Sequence, residues 1–217
     1  MNNYIKQLNW RYATKKFDIS KKIPDDDLEQ LLEAVQLSAS SYGLQPYHVF
    51  VITDPEIREL LKPACWDQPQ IVEASHLIVF SNKTSFSGEM VDTYLQNVSQ
   101  TRGIPQDLLK GYGDFMKSKL LPLTDEEKAR WTSRQTYIAL GNLLSAAALL
   151  KIDACPMEGF NPEAVNKILR LEEKQLNASV IAAVGYRSHD DETQHYKKVR
   201  QSKKELFTQL GQVEITL

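Results

Sequence analysis

The sequence predicts an α+β fold, a sheet packed with helices, and three observations carry that expectation. Two stretches, His76 to Phe80 and Ala178 to Val184, are apolar almost throughout, as central strands covered on both faces are. Between Thr132 and Leu150, Tyr137, Leu140, Leu143, Leu144, Ala147 and Leu150 recur at three- and four-residue spacing, the signature of a buried helix. Three or four short strands stand among about eight helical segments without the strict alternation of a doubly wound nucleotide fold.

In chain order, residues 3 to 10 read as a short helix ending at Trp10, followed by the basic stretch Arg11-Tyr-Ala-Thr-Lys-Lys-Phe17. Asp25, Asp26 and Asp27 precede Leu28, Leu31, Leu32, Val35 and Leu37. Acids in a first turn complement the helix dipole, so a helix is expected from about Asp25 to Ser38. The polar loop Ser38 to Pro46 stops it, Val49 to Ile52 reads as a strand, and Asp54-Pro55 opens another helix. Cys65 to Gln70 shows no periodicity. Residues 88 to 130 carry helical pattern broken at Gly103-Ile-Pro105 and Leu121-Pro122, and Thr124-Asp-Glu-Glu127 resembles a capping box. After the long helix, Pro156 biases Cys155 toward extended backbone, so the chain is expected to run straight through Asp153 to Met157 and turn at Gly159. Asn161-Pro-Glu163 starts a helix to about Leu169. The tail from Asp190 is polar and basic and ends in the strand-like Val213 to Leu217, a run expected to add to another subunit's sheet edge.

The 217 residues, 42% hydrophobic and 25% charged, suit one domain, 1–217. A formal net charge of −2 gives no electrostatic footprint for nucleic acid or an anionic membrane. No apolar run reaches the length of a membrane span, and Met1-Asn-Asn-Tyr-Ile-Lys6 lacks the apolar core of a signal peptide, so the expected compartment is cytoplasmic. Cys65 and Cys155, the two thiols, lack the paired spacing of a zinc site and are expected to be reduced and structural.

Glycine-rich phosphate cradles of the dinucleotide and triphosphate types are absent. Phosphate binding must therefore fall to side chains, and two basic clusters could supply it: Arg11 with Lys15 and Lys16, and Lys197, Lys198, Arg200, Lys203 and Lys204. Taken singly, such runs are ordinarily solvated faces. His48, His76, His189 and His195 show no metal-ligand spacing, and His76 opens a core strand as a structural residue. Cys155 lies in an apolar stretch without a sequence-adjacent cation to activate it. Glu158 could serve as an acid or base if buried, yet a Glu before a Gly is ordinarily just a turn residue.

Five motifs in one order resemble the nitroreductase family of FMN-dependent NAD(P)H oxidoreductases, particularly its small bacterial oxygen-insensitive and dihydropteridine reductase-like members. They are Arg11-Tyr-Ala-Thr-Lys-Lys-Phe-Asp18, Ser40-Ser-Tyr-Gly-Leu-Gln-Pro-Tyr47, Glu73-Ala-Ser-His76 before a strand, Pro156-Met-Glu-Gly-Phe160, and Lys198-Val-Arg200. The resemblance implies a mainly antiparallel central sheet flanked by helices and a homodimer that exchanges its C-terminal strand and shares its active sites. It implies FMN held through Arg11, Tyr12, Ala13, Lys15, Asp67, Gln70, Lys198 and Arg200, with Arg11, Lys198 and Arg200 on the phosphate and Lys15 near the pyrimidine edge. Pro156, Met157, Glu158 and Gly159 would lie along the isoalloxazine, a backbone N–H of Glu158 or Gly159 facing N5, and Ser40, Ser41 and Gln45 would reach in from the second subunit. NADH or NADPH would deliver hydride in a ping-pong cycle that passes electrons to nitroaromatics, quinones or pteridines. Enoate or dehalogenating reduction on the same flavin, or flavin carriage without catalysis, are the rival readings.

Three positions depart from the family pattern. Ala13 replaces a hydroxyl residue, which removes a hydrogen bond worth about 1 kcal/mol. Gly43 stands where Asn is common. Gln70 replaces a cation and is expected to show the flavin edge a neutral amide. A lid is expected from residues 88 to 130, where Tyr112 and Phe115 are candidate flavin-facing aromatics, although core packing is the expected role for each.

Overall fold

A computed structural model describes residues 3–211. Four strands form one antiparallel sheet in the order β1-β2-β4-β3: β1 (Tyr47–Ile52), β2 (His76–Lys83), β3 (Asp153–Met157) and β4 (Leu176–Gly185). The two apolar runs are the two inner strands, β2 and β4. Their alternating side chains divide between two cores, as the period of two requires. Leu77, Val79, Ile181 and Ala183 face one side, packed with α3 (Pro55–Ala64) and α8 (Pro162–Leu169). Ile78, Phe80, Val180, Ala182 and Val184 face the other, packed with α2 (Asp25–Gln36) and α7 (Asp125–Leu150). Each such side chain, removed from water, contributes roughly 1.5–3 kcal/mol before entropy is counted. Two sheet faces with two helical layers are thus what the apolar β2 and β4 demand.

The long helix α7 begins at the expected capping box: the Thr124 hydroxyl accepts from the Glu127 N–H at 3.2 Å, and the Thr124 N–H donates to the Glu127 carboxylate at 2.8 Å. It ends at Lys151, whose left-handed φ of 62° closes the helix. Leu140, Leu143 and Ala147 are buried as expected, but Tyr137 is 41% exposed. It lies at the edge of that core stripe, where its phenol reaches a polar partner instead. In α2, Leu31 and Val35 are buried, while Leu37 lies just beyond the helix and is exposed.

Residues 88 to 120 form two helices, α5 (Gly88–Arg102) and α6 (Gln106–Leu120), broken where Gly103 adopts φ 65°. They pack on each other around Val91, Met116 and Leu120, a third cluster apart from the two sheet cores. Tyr112 and Phe115 of α6 are exposed, so core packing is not their role here. Phe115 meets the ring of Tyr42 edge-on at 6.5 Å. The strand-like run Val213 to Leu217 lies outside the described residues. Among the described residues no helix is long and apolar enough to cross a membrane.

The short helices α1 (Asn3–Trp10), α4 (Gln70–Glu73) and α9 (Lys203–Leu206) complete the set. Arg58 of α3 is buried and holds the segment around α4 through three carbonyls. Its Nε donates to Ile71 at 2.7 Å, and its terminal nitrogens donate to Ala74 at 2.6 Å and Ser75 at 3.3 Å.

Candidate functional site

The segment from Arg11 to Asp18 is stitched to the chain just beyond β4. The Asp18 N–H donates to the Tyr186 carbonyl at 2.8 Å and the Ser188 N–H to the Lys16 carbonyl at 2.9 Å. On the other side Ala13 bridges Ala154 of β3 in parallel register, so this segment covers part of the β3 edge. Asp191 is the centre of the junction. Its buried carboxylate accepts the Tyr12 phenol at 2.9 Å, the Lys15 and Lys16 N–H groups at 2.8 and 3.2 Å, and the Thr193 N–H at 3.0 Å. Burial works against that carboxylate, yet the bonds from Thr193, Lys15, Lys16 and Tyr12 outweigh it and hold its pKa down to about 2. Burial and the Asp191 bond push the Tyr12 phenol upward, so it stays a donor.

Arg187 locks the other side. It pairs with the buried Asp153 through Nε at 2.8 Å and a terminal nitrogen at 2.6 Å, and its guanidinium sits 4.3 Å from the Trp10 ring and 4.5 Å from the Tyr12 ring. A guanidinium flanked by two aromatic faces and paired with a carboxylate is a rigid joint between α1 and β3.

These contacts gather both basic clusters into one place. Arg11, Lys198 and Arg200 line a single cavity of about 490 Å³, together with Tyr12, Ala13, Thr193, Tyr196 and Pro156. Its described lining holds no carboxylate. Burial and then Arg200 lower the Arg11 pKa, and burial, Arg11 and Arg200 lower that of Lys198. Cations that depress one another without an acid between them form a site with uncompensated positive potential, and a phosphate dianion fits it in both charge and donor chemistry. Lys198 is oriented by donating to the Leu8 carbonyl at 2.7 Å and to the Arg11 carbonyl.

Pro156 connects this cavity to the turn that follows β3. At Gly159 an added Cβ would lie 2.8 Å from the Trp66 ring and 3.1 Å from Gln68 Nε2, which donates to the Gly159 carbonyl at 2.7 Å. Glycine is required there by close approach of a neighbouring aromatic. Trp66 and Asp67 hold left-handed φ values of 57° and 54°, and both are exposed. Met157 points into the core, while Glu158 is exposed and accepts the Tyr137 phenol.

Several expectations are altered by the geometry. Gln70 shows no free amide at the surface: it is 4% exposed, its Nε2 lies 4.0 Å from Cys155 Sγ, and its Oε1 has no partner among the described residues. One turn of α4 has rotated it inward. Cys155 does have cations near it, since Lys15 and Arg11 both draw its pKa down, but burial is the larger effect and the thiol remains above its ordinary value. Thr14 does not replace the hydroxyl missing at Ala13, because it is fully buried with its Oγ1 unpartnered. Gly43 has φ 75°, and an added Cβ there would lie 2.6 Å from the Tyr94 phenol oxygen, so both backbone and packing favour glycine.

Ser40, Ser41 and Gln45 do not line the cationic cavity. The Ser40 hydroxyl accepts the Gln45 N–H at 2.9 Å, the Ser41 N–H donates to Gln135 of α7 at 2.8 Å, and Gln45 Nε2 donates to the Gln36 carbonyl at 2.8 Å. Gln45 and Gly43 line another cavity, of about 1010 Å³, beside α5. The Lys15 side chain is exposed and does not line the cationic cavity either.

Asp191, Arg187, Tyr137 and Gln135 are the organising residues that sequence reading missed. Asp191-Glu-Thr193 carries the local signal of a side-chain-capped turn, but nothing in it points to Lys15, some 176 residues away.

Comparison with known proteins fits this geometry. The nitroreductase family profile matches residues 8–186. A Bacillus subtilis relative provisionally named NAD(P)H nitroreductase YfkO is 39% identical over 196 residues, covering 84% of this chain and 87% of its own. The crystal structure of ydfN from Bacillus subtilis, provisionally a nitroreductase, superposes with a TM-score of 0.86 at 20% identity, covering 96% of this chain and 99% of its own. A provisionally assigned nitroreductase in complex with FMN from Exiguobacterium sibiricum superposes with a TM-score of 0.82 at 17% identity, covering 97% and 98%. The chain belongs to the nitroreductase family, a family of oxidoreductases.

Proposed function

We propose that this protein is an FMN-dependent NAD(P)H oxidoreductase that reduces nitroaromatics, quinones or similar electron-poor acceptors. The observation that carries the reading is the convergence of Arg11, Lys198 and Arg200 in one cavity bounded by Pro156. Those three cations would hold the FMN phosphate. Tyr12 and Ala13 would contact the cofactor chain, and the turn from Pro156 to Gly159 would carry the isoalloxazine. When bound, FMN supplies the redox chemistry, taking a hydride from NADH or NADPH and returning electrons to the acceptor in a second half-reaction.

The chain's own part is binding, orientation and charge. Asp191 fixes the backbone of Lys15 and Lys16 and so holds Arg11 against the tail. The exposed Lys15 ammonium is free to place positive charge beside a reduced ring system. Gln70 is neutral and buried against Cys155, so it would supply no second cation beside Lys15. Gln68 and Trp66 brace Gly159 from behind.

The active form would be a homodimer with sites at the interface. Ser40, Ser41 and Gln45 support this, because they stand apart from the cavity of their own chain. The open flank of β1, at the edge of the sheet, offers a further surface for a second copy.

The test is anaerobic. Protein loaded with FMN should lose its visible flavin absorbance on adding NADH or NADPH and regain it on adding a nitroaromatic or a quinone. Bound FMN that neither nucleotide bleaches would exclude the oxidoreductase reading.

A further inference from the structure

Tyr137 and Glu158 form a pair that neither the sheet cores nor the cationic cavity uses. Tyr137 stands on the exposed face of α7, and Glu158 is the first residue after β3, also exposed. The Tyr137 phenol donates to Glu158 Oε1, joining two elements that otherwise meet only through the core. The main chain beneath Glu158 is already fixed, since Gln68 holds the Gly159 carbonyl and the Phe160 N–H donates to the Glu158 carbonyl at 3.0 Å. With the main chain held, the Glu158 carboxylate takes its position from the Tyr137 phenol.

We propose that Tyr137 is a positioning residue for Glu158, and that the tethered carboxylate sets a fixed negative charge at the rim of the Pro156 to Gly159 turn that favours uncharged or cationic acceptors over anionic ones. The proposal rests on the reading of this turn as the place where the acceptor meets the cofactor.

An exposed glutamate ordinarily samples many rotamers, and its charge is spread over the volume it sweeps. A phenol O–H to a carboxylate is a charge-assisted bond, shorter and stronger than a neutral one, and it confines that charge to one place. The donor does not titrate away in use, because burial and Glu158 together push the Tyr137 phenol up to about 12. For an anionic acceptor brought near the turn, repulsion from the fixed carboxylate through partly screened solvent amounts to a roughly five- to tenfold penalty in kcat/KM. An acceptor of the same shape without charge meets no such barrier.

Tyr137→Phe, Glu158→Gln and the double variant, each loaded with FMN, would be compared on 4-nitrobenzamide and 4-nitrobenzoate. Glu158→Gln should shrink the preference for the amide roughly five- to tenfold. Tyr137→Phe should lower KM for the benzoate more than it changes kcat, and leave both constants for the amide near their wild-type values. The double variant should match Glu158→Gln, since Tyr137 acts only through the carboxylate. A second readout does not need turnover: the Tyr137 ring carbon titration by 13C NMR, in the protein as purified, should move to lower pH in Glu158→Gln. An unchanged acceptor preference in Glu158→Gln, additive effects in the double variant, or an unmoved Tyr137 titration each overturns the proposal. If wild-type protein with bound FMN reduces neither acceptor, the oxidoreductase reading fails and takes acceptor selection with it, while the NMR titration still reports whether the pair exists.

Discussion

Lys198 Nζ donates to the Leu8 carbonyl at 2.7 Å, fastening the polar tail to α1 across 190 residues and setting its charge beside Arg11. Two basic runs that look like separate solvated faces in sequence are thereby brought to line one cationic cavity.

Because burial and neighbouring positive charge disfavour the charged forms of Arg11 and Lys198, an anion beside them should stabilise the folded protein. Millimolar phosphate is expected to raise the thermal midpoint of the protein freed of flavin by more than chloride does at equal ionic strength. In Arg11→Met/Lys198→Met the phosphate increment should vanish. Differential scanning fluorimetry is sufficient to see it, and equal effects of phosphate in both proteins would argue against the site.

The Asp191 carboxylate, held down to about 2, contributes stability in a definite pH window. Its folded value lies below its unfolded value of about 3.9, so its contribution is complete above that unfolded value and lost as pH falls toward 2. Asp191→Asn is expected to cost on the order of 2 kcal/mol at pH 7. The gap to wild type should close between about pH 4 and pH 2 in urea unfolding measured by circular dichroism. The same variant should weaken FMN, since one amide oxygen must serve the donors that the two carboxylate oxygens share.

At the turn after β3, backbone and side chain have separable roles. Gly159→Val would drive a side chain into Trp66 and Gln68 and is expected to destabilise the fold by about 1–3 kcal/mol and to reduce FMN affinity. Glu158→Gln should leave the thermal midpoint within a degree or two. If Glu158→Gln instead reduced turnover more than Gly159→Val, the carboxylate would have to be regarded as an acid or base.

Arg58 is buried against three carbonyls with no carboxylate partner among the described residues. Arg58→Met would strand those acceptors, and a loss of about 2–4 kcal/mol is expected from chemical denaturation. Restoring a cation with Lys should recover only part of it, because an ammonium cannot span the three acceptors that the planar guanidinium reaches.

The legible part of the fold was the part set by local chemistry. Thr124 and Glu127 announce their capping box, Pro156 announces extended backbone, and the apolar runs at β2 and β4 announce buried inner strands. Burial side was less legible: Tyr137 has the spacing of a core residue, and only the direction of the α7 face shows that it reaches Glu158. Gln70 was misplaced for a related reason, since one helical turn decides whether an amide faces a ligand or Cys155, and four residues carry too little periodicity to tell. The cationic cavity was legible as two halves in Arg11 and Lys198. The residues that bring the halves together, Asp191 and Arg187, act through contacts distant in sequence, and no local pattern encodes them.

The most direct test is the ratio of FMN to riboflavin affinity, which isolates the phosphate. Fluorescence titration of the protein freed of flavin should give FMN binding at least about 100-fold tighter than riboflavin, as several charge-assisted bonds require. That ratio should fall at least tenfold in Arg11→Met/Lys198→Met. Equal affinities for the two flavins in the wild-type protein would contradict the assignment of Arg11, Lys198 and Arg200 to the phosphate.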